Sequence, residues 1–350
     1  MIETILSAYG FKQDETNVEP FGKGLINTTW KVTTAGNVFI LQRVNDAVFK
    51  RPGDIAHNIN LIKDYLAHHH PEYKFVAPLP SVQGDEMVHS KGEGYFRLFP
   101  FVVASHSKDV VETPAQAYEA ARQFGRFTKL LFGIDLKKLK ITIPDFHNLS
   151  FRYEQFGDAL ENGNQERING SKDLIDSVIG YSAIVKTYEK LKNDPAFHLR
   201  VTHHDTKISN VLFDENDKGL CVIDLDTVMP GYFISDVGDM MRTYLSPVSE
   251  EVKDPGNIEV RDDFYKAIHE GYMREMEDEL TETEKKHFFY SGQFMIYMQG
   301  LRFLTDHLNN DLYYGARYPG HNLIRAGNQL TLLDRLMEKE KSFSGSISDQ

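Results

Sequence analysis

The chain has 350 residues, of which 41% are hydrophobic and 26% are charged, with a formal net charge of −12 at pH 7. This length suits one large domain or two ordinary ones, and the composition is that of a globular protein. The acidic balance, without a basic arm or stripe, argues against a general nucleic-acid-binding role. No run of 18 apolar residues occurs, so we expect neither a membrane span nor a membrane partner.

The first residues, MIETILSAYGF, predict a brief amphipathic helix, because the stretch is too short for a signal peptide and contains Glu3. The single cysteine, Cys221, excludes an internal disulfide and a cysteine-based zinc site. Since it lies in an apolar run, we expect a buried and inert thiol. These features together favour a reducing cytoplasm as the location.

The first hundred residues are rich in predicted strands, which Gly-, Asn- and Asp-rich turns separate. The strands are expected at 17–20, 28–33, 38–44, 86–90 and 95–99. One helix at about 54–69 interrupts them, because its isoleucines and Leu66 recur on one face.

Residues 21–29 read FGKGLINTT and lie between the first two predicted strands. Gly22 and Gly24 would let the backbone turn tightly and approach phosphate oxygens, and Lys23 could add a donor. A GxG pair is also common in ordinary hairpin turns, so this interpretation depends on the rest of the chain. The extended segment around Phe101 could offer backbone groups to an adenine edge.

Beyond residue 101 the helical period predominates. Helices are predicted at 113–131, 149–161, 172–192, 234–244, 261–277, 281–308 and 323–339. Asp236 and Asp239 fall where one helix is predicted to begin and are expected to be caps, or Asp239 pairs with Arg242.

Strands first and helices second indicate an α+β fold with two lobes. We place a β-rich, nucleotide-binding N-terminal lobe at 1–100 and a mainly helical lobe, catalytic and acceptor-binding, at 101–340. The polar tail 341–350 is expected to fray.

Residues 201–226, VTHHDTKISNVLFDENDKGLCVIDLD, are the most informative stretch of the chain. They place His203, Asp205 and Asn210 on a loop, followed by two predicted strands and then Asp224 and Asp226. Kinases need such groups in this order: a carboxylate to accept the hydroxyl proton, then an amide and a second carboxylate to hold Mg²⁺. A hairpin with solvated acids at its ends is the plainer alternative, and the combined spacing argues against it.

Within this stretch we assign Asp205 as the general base, and Asn210 and Asp224 as ligands of Mg²⁺, which prefers oxygen donors. Lys207 is placed to stabilise charge on the transferring phosphoryl group, although an ordinary surface lysine is equally compatible. His204 is expected to line the acceptor site.

Two features of the phosphate side stay open. Kinases carry a phosphate-binding lysine in the third strand, where this chain has Gln42 followed by Arg43. A neutral amide can hydrogen-bond phosphate without supplying charge, and Arg43 could reach back only from a bulged strand. Asp226 either holds the metal or caps the loop.

The segments HHDTKISN, VIDLD and SDVGDMMR resemble the aminoglycoside phosphotransferase and choline kinase superfamily, whose fold is two-lobed and protein-kinase-like. A closer resemblance, to the bacterial N-acetylhexosamine 1-kinases, runs through GLINTTWKVTT, FILQRVN and GLRFLTDHLNNDLYYGARYPGHNLIRAGNQ. The glutamine in the third strand is part of that closer match. The resemblance implies ATP- and Mg²⁺-dependent phosphorylation of the anomeric hydroxyl of GlcNAc or GalNAc to the sugar 1-phosphate.

The same resemblance implies an acceptor side formed by Arg302, Tyr313 and Arg325, with Asn27 facing the sugar. A hydroxyl-rich ring requires a rigid set of donors and acceptors with an aromatic face, and this block of sequence offers them. The alternative is that the arginines pair with acids such as Asp306 on helix faces.

Other functions stay under consideration. A kinase for choline, homoserine or an aminoglycoside would call for acids or an aromatic cage, whereas the last block offers arginines. A protein kinase is disfavoured because no APE motif follows the Asp224 strand. Gln42 motivates a third alternative, a nucleotide-binding module without turnover. The choice of epimer and anomer and the oligomeric state are not readable from the sequence.

Overall fold

The structure, a computed structural model, describes residues 2–22 and 26–343. Its strands, in chain order, are β1 (Asn17–Pro20), β2 (Thr28–Thr33), β3 (Val38–Val44), β4 (Val88–Ser90), β5 (Gly94–Pro100), β6 (Leu199–Thr202), β7 (Val211–Phe213), β8 (Gly219–Val222) and β9 (Met229–Tyr232). The α-helices are α1 (Ile2–Ala8), α2 (Pro52–His69), α3 (Pro114–Leu130), α4 (Leu149–Asn162), α5 (Gln165–Gly170), α6 (Lys172–Gly180), α7 (Ala183–Leu191), α8 (Phe233–Tyr244), α9 (Asp262–Met276), α10 (Glu282–Lys286), α11 (Phe288–Leu308) and α12 (His321–Glu338).

The chain forms two compact units. The β-rich unit contains the chain up to Ser107, together with Leu130–Pro144 and Val211–Pro230. The helical unit contains Lys108–Lys129, Asp145–Asn210 and the chain from Gly231 onward. Strands concentrate in one part and helices in the other, as the α+β prediction requires.

The β-rich unit is built on an antiparallel sheet with the strand order β1-β2-β3-β5-β4. Its register pairs Trp30 of β2 with Leu41 of β3, and Leu41 with Leu98 of β5. Alternation therefore directs Val32, Leu41 and Leu98 to one face, where α1 covers them with Ile5 and Leu6. The same unit contains the β7–β8 hairpin, in which Val211 pairs with Val222.

The helical unit is organised around α11, in which every residue except Thr305 is buried. Helices α4, α8 and α12 pack around it. The close approach of α8 depends on Gly238, because a Cβ at that position would meet the Ser291 carbonyl oxygen of α11. An apolar helix enclosed in this way forms the core of the unit.

Most predicted elements agree with these bounds to within one or two residues. The predicted helix 172–192 is broken into α6 and α7, because Tyr181 and Ser182 form a turn after Gly180. The predicted helix 281–308 is likewise divided, at His287, into α10 and α11. The short helix α5 and strand β9 were not predicted.

Cys221 is buried in β8, and burial raises the pKa of its thiol to about 11, so the expectation of an inert thiol is confirmed. In the described part of the chain, no helix has the combined length and hydropathy that a bilayer crossing requires. Phe343, in the predicted tail, is 1% exposed and its ring lies 3.9 Å from that of Tyr265. Residues 344–350 lie outside the described residues.

Candidate active site

The loop that follows β6 carries Asp205, and its backbone is hydrogen-bonded to side chains of helix α8. The carboxylate of Asp236 accepts the backbone N–H groups of His203 and His204 at 2.9 and 2.7 Å. Asp239 accepts the N–H of Thr206 at 2.8 Å. Buried N–H groups need such acceptors, so two turns of one helix fix the backbone on both sides of Asp205.

These contacts correct the expectation for the two aspartates of α8. The helix begins at Phe233, so Asp236 and Asp239 lie inside it and do not cap it. The predicted ion pair between Asp239 and Arg242 is present, at 2.8 Å. Burial raises the pKa of Asp236 to about 7, although hydrogen bonds from the backbone of His203 and His204 lower it. Two aspartates three residues apart share a helix face, and this spacing was the available signal.

Asp205 itself is bonded through one carboxylate oxygen. Its Oδ2 accepts Lys207 Nζ at 2.8 Å and Asn210 Nδ2 at 3.0 Å. Burial raises the pKa of Asp205, but Lys207, His203 and Asn210 outweigh it, so the pKa lies below its ordinary value. Asp205 is therefore an ionised carboxylate at neutral pH, which is the state a general base requires. Asn210 uses its amide nitrogen in this contact, and its oxygen is the atom that could hold a cation.

His204 is a buried part of the same loop. It is 5% exposed and adopts a left-handed backbone with φ of 65°. Its ring centroid lies 5.2 Å from that of His147, and a Cβ at Gly231 would meet the ring directly. The imidazole therefore forms a packed wall, and its role toward an acceptor stays a prediction.

A cluster of cationic and aromatic side chains lies in the helical unit beside His204. The Arg302 guanidinium carbon is 5.5 Å from the Phe146 ring centroid and 5.7 Å from that of Tyr313. His147 stacks on Phe146 at 4.3 Å, and its buried Nδ1 has no hydrogen-bond partner among the described residues. Burial, and then the charges of His204 and Arg302, hold the pKa of His147 well below its usual range. His147 is therefore neutral, and sequence reasoning missed it because its neighbours are distant in the chain.

The three residues predicted for the acceptor side have different surroundings. Arg302 and Tyr313 are brought together, with Arg302 Nη2 3.4 Å from the Tyr313 hydroxyl, and Tyr313 is 63% exposed. Arg325 has different partners. Its Nη2 lies 2.5 Å from Glu250 Oε1, and its guanidinium carbon lies 3.7 Å from the Phe303 ring centroid. The ion pair with Glu250, which the sequence did not indicate, makes Arg325 part of the packed structure.

Asp306 organises the loop that carries Tyr313. Its two oxygens accept the backbone N–H groups of Tyr313 and Tyr314 at 2.7 and 2.9 Å, and it also accepts Asn322 Nδ2 at 3.1 Å. Asp306 thus acts on backbone and amide groups. The alternative that the predicted arginines pair with acids holds for Arg325, whose partner is Glu250 and not Asp306.

In the β-rich unit the acid pair that follows β8 divides into an exposed and a buried member. Asp224 is exposed, with a left-handed φ of 61°. Asp226 is 2% exposed and forms an ion pair with Arg97 at 2.5 Å. It also accepts Asn27 Nδ2 at 2.8 Å. Asp226 is therefore a buried structural anion, and of the two acids only Asp224 presents an accessible oxygen for a cation.

The Gln42 amide is engaged inside the sheet. Its Oε1 accepts Arg97 Nε at 3.0 Å and Arg97 Nη2 at 2.6 Å, and its Nε2 donates to the Thr29 hydroxyl at 3.3 Å. Arg43 is exposed on the opposite face, and the register through both neighbouring strands is regular. The bulge that would let Arg43 reach back is thus absent from β3. Sequence reasoning missed Arg97, for which the signal was one cation in the apolar strand FRLFP.

The remaining predicted nucleotide contacts surround the glycine-rich segment. Gly22 has a left-handed φ of 75°, whereas Lys23 and Gly24 lie outside the described residues. The Phe101 ring lies 6.3 Å from that of Phe21, which makes an apolar edge of the kind a purine could use. Asn27 accepts the Asn45 N–H at 2.9 Å in addition to its bond with Asp226. Both ends of the Asn27 amide are therefore used within this unit, which does not support a sugar-facing role.

Comparison with known proteins adds a family and a fold. The model of the phosphotransferase enzyme family matches residues 17–274. The chain is similar in structure to a microcompartment-associated aminopropanol kinase, with 16% identity, a TM-score of 0.65, and 97% of each chain covered. A choline kinase from Cryptosporidium parvum Iowa II gives 13% identity and a TM-score of 0.57, with 96% of this chain and 92% of that chain covered.

A spectinomycin phosphotransferase solved with ADP and spectinomycin gives 12% identity and a TM-score of 0.58, with 97% of each chain covered. At such identities these likenesses establish the fold alone. The predicted α+β, protein-kinase-like fold is confirmed.

Proposed function

The chain belongs to the phosphotransferase enzyme family, and on that premise we propose that it phosphorylates the anomeric hydroxyl of an N-acetylhexosamine, GlcNAc or GalNAc, with ATP. The product would be the sugar 1-phosphate. Because the hydroxyl oxygen attacks phosphorus, the bond between C1 and that oxygen is kept, and the configuration of the bound anomer is unchanged.

The observation that carries the kinase assignment is the state of Asp205. Lys207 and Asn210 hold its Oδ2 and keep the carboxylate ionised, while two aspartates of α8 fix the loop backbone around it. Its other oxygen can accept the proton of a hydroxyl group, as general-base catalysis requires. A positioned carboxylate with a low pKa suits a reaction in which alignment supplies most of the rate.

Lys207 has a second role in this proposal. Its side chain is 43% exposed, and its ammonium group lies at the edge of the loop beside the base. A cation there would attract the transferring phosphoryl group and stabilise the charge that develops on it. Lys207 would therefore hold Asp205 in place and contact the phosphate.

We propose Asn210 and Asp224 as the residues that hold Mg²⁺. Both offer hard oxygen atoms, the Asn210 side-chain carbonyl and the exposed Asp224 carboxylate, and this donor set fits the ion. Bound Mg²⁺ would neutralise charge on the phosphates of ATP.

For the acceptor, the electrostatics of the cluster around Arg302 favour a ligand without positive charge. Arg302 and a neutral His147 offer hydrogen bonds, and the exposed Tyr313 ring offers an apolar face. An ammonium group would be repelled by Arg302 at this position. A neutral, hydroxyl-rich sugar satisfies these groups, and the sequence resemblance points to an N-acetylhexosamine.

A panel of acceptors tests the substrate assignment. GlcNAc, GalNAc, glucose, galactose, choline, homoserine and kanamycin would each be incubated with ATP and Mg²⁺. We expect an acid-labile sugar phosphate with the N-acetylhexosamines, and about 100-fold or greater loss of kcat in Asp205→Asn. Exclusive phosphorylation of an amino alcohol, or of a 6-hydroxyl, would overturn the substrate. Near-normal turnover by Asp205→Asn would overturn the base.

A further inference from the structure

We propose that Arg97 and Asp226 form a positioning pair for the nucleotide, in which a buried guanidinium of β5 replaces the lysine that kinases carry in β3. The proposal rests on the proposed function to the extent that the chain binds ATP. In this chain the position of the expected lysine is occupied by Gln42.

The pairing of β3 with β5 places the Arg97 guanidinium beside Gln42. Gln42 and Arg97 are direct partners in the antiparallel ladder between β3 and β5. Their side chains lie on the same face, and Arg97 donates two hydrogen bonds to the Gln42 carbonyl oxygen, at 3.0 and 2.6 Å. The positive charge missing at the β3 position is therefore present one strand away, in the same row of the sheet.

Through Asp226 the same guanidinium reaches the turn that follows Asp224. Arg97 Nη2 lies 2.5 Å from Asp226 Oδ1, and Asp226 sits in the 3₁₀ turn Leu225–Thr227. The proposed metal ligand Asp224 immediately precedes this turn, with a left-handed φ of 61°. Fixing the Asp226 carboxylate therefore fixes the backbone from which the Asp224 side chain projects.

The pair also connects to the end of the glycine-rich segment. Asp226 Oδ2 accepts Asn27 Nδ2 at 2.8 Å, and Asn27 Oδ1 accepts the Asn45 N–H at 2.9 Å. Arg97 thus contacts β3 and the turn after β8 directly, and Asp226 extends this link to Asn27, the residue before β2. In kinases a lysine and its acidic partner link elements of the nucleotide site in a comparable way.

Stability alone gives a poor reason for this arrangement. Arg97 is 1% exposed and Asp226 is 2% exposed, so both charges are desolvated. The Arg97 Nη1 atom is also buried and has no hydrogen-bond partner among the described residues. Well-packed apolar residues of similar volume can often replace such a pair without loss of stability. The pair is therefore better explained by positioning than by folding.

The test separates positioning from folding by removing both charges together. The double variant Arg97→Met with Asp226→Leu is compared with wild type by calorimetric titration of MgADP and by thermal unfolding. We expect a Tm within about 5 °C of wild type, and a Kd for MgADP raised by roughly tenfold or more. The Mg²⁺ concentration for half-maximal activity should also rise, with an unchanged acceptor KM.

A matched control is the other buried Arg–carboxylate pair, Arg200 with Glu284, in the helical unit. These atoms lie 2.6 Å apart, and the side chains are 3% and 0% exposed. Arg200→Met with Glu284→Leu should lower Tm, because Glu284 also accepts the backbone N–H groups of His198 and Thr281 and Arg200 also donates to the Glu279 carbonyl oxygen. It should leave the Kd for MgADP within about twofold of wild type. If both double variants weaken MgADP equally at equal Tm, the positioning role is overturned.

A second variant covers the case in which the apolar pair does not fold. Arg97→Met with Gln42→Lys moves the cation to the β3 position and keeps a partner for Asp226. We expect it to bind MgADP more tightly than Arg97→Met alone. Equal binding by the two, or wild-type binding by Arg97→Met, would overturn this inference. Failure of wild type to bind MgADP would instead count against the proposed function.

Discussion

The carboxylate of Asp236 holds the backbone of His204 in a left-handed conformation, with Oδ1 2.7 Å from the amide nitrogen and a φ of 65°. A non-glycine residue in that region is strained, so the helix stabilises a loop geometry that the chain would otherwise not adopt. Asp205 follows directly, and its direction depends on this bond.

Asp236→Asn therefore tests whether the loop must be held by a carboxylate. An amide offers one acceptor oxygen, so one of the two N–H groups of His203 and His204 loses its acceptor. We expect kcat to fall by about 100-fold through displacement of Asp205, with the KM for ATP within about threefold of wild type. Steady-state kinetics at about pH 8, where the Asp236 carboxyl group is mostly ionised, would show this, and an unchanged kcat would contradict it.

The same carboxyl group should make stability depend on pH. Its pKa is raised to about 7 by burial, whereas in the unfolded chain it would be ordinary. At a pH between the ordinary pKa of about 3.8 in the unfolded chain and the pKa of about 7 in the folded protein, the folded protein holds a proton that the unfolded chain has released. The contribution of Asp236 is therefore lost as pH rises, by up to about 1.4 kcal/mol per pH unit between roughly pH 4 and 7.

Denaturant titrations of wild type and Asp236→Asn at intervals over this range isolate the effect. The free energy of unfolding of wild type, relative to the variant, should decrease with rising pH. A constant difference would show that Asp236 has an ordinary pKa in the folded protein.

Lys207→Met should move the pH profile of the reaction. Lys207 is the largest of the favourable charges that lower the pKa of Asp205 against the effect of burial. Without it the pKa of Asp205 rises, so Asp205 is protonated at higher pH and the acid limb of kcat/KM shifts upward. The exposed Lys218, in the turn between β7 and β8, provides the control Lys218→Met. An identical acid limb in both variants would count against Asp205 as the titrating base.

Gly231→Ala tests the packing of the His204 wall. A Cβ at this position would meet the His204 ring and the Thr202 hydroxyl, whereas one at Gly157 in α4 would meet nothing within 4 Å. We expect Gly231→Ala to cost about 1–3 kcal/mol of stability and to reduce activity. Gly157→Ala should be neutral or slightly stabilising in thermal unfolding. Equal behaviour of the two variants would contradict the packing argument.

The two arginines of the last block should separate by phenotype. Arg302 lies beside the exposed Tyr313, whereas Arg325 is held by Glu250 and Phe303. Arg302→Met should raise the acceptor KM by about tenfold with little change in Tm. Arg325→Met should chiefly lower Tm, since it leaves Glu250 with one fewer partner. A lowered Tm in Arg302→Met together with a raised acceptor KM in Arg325→Met would contradict this assignment.

What the sequence predicted well was local. Strand bounds, the loop around Asp205 and the α+β order follow from alternation, turn residues and spacing within a few residues. The breaks after Gly180 and at His287 were missed because tertiary contacts override a continuous helical period.

What could not be predicted depends on register and on distant partners. Gln42 meets Arg97 only because β3 pairs with β5 across an intervening helix and strand. Likewise, nothing in the order of residues shows that Asp236 reaches back to His203, or that Glu250 reaches Arg325. These are side-chain contacts between segments far apart in the chain, which periodicity does not encode.

Asp306 accepts hydrogen bonds from the backbone N–H groups of Tyr313 and Tyr314. The side chains of Leu312 and Tyr313 in the same segment are 83% and 63% exposed. The backbone atoms of this short segment are thus held by Asp306, while its side chains face the solvent. Replacing the displayed side chains leaves the anchoring bonds intact, because those bonds use only backbone amides. Under the proposed function, a small combinatorial library at positions 312 and 313 would vary the surface offered to the acceptor without loosening the segment.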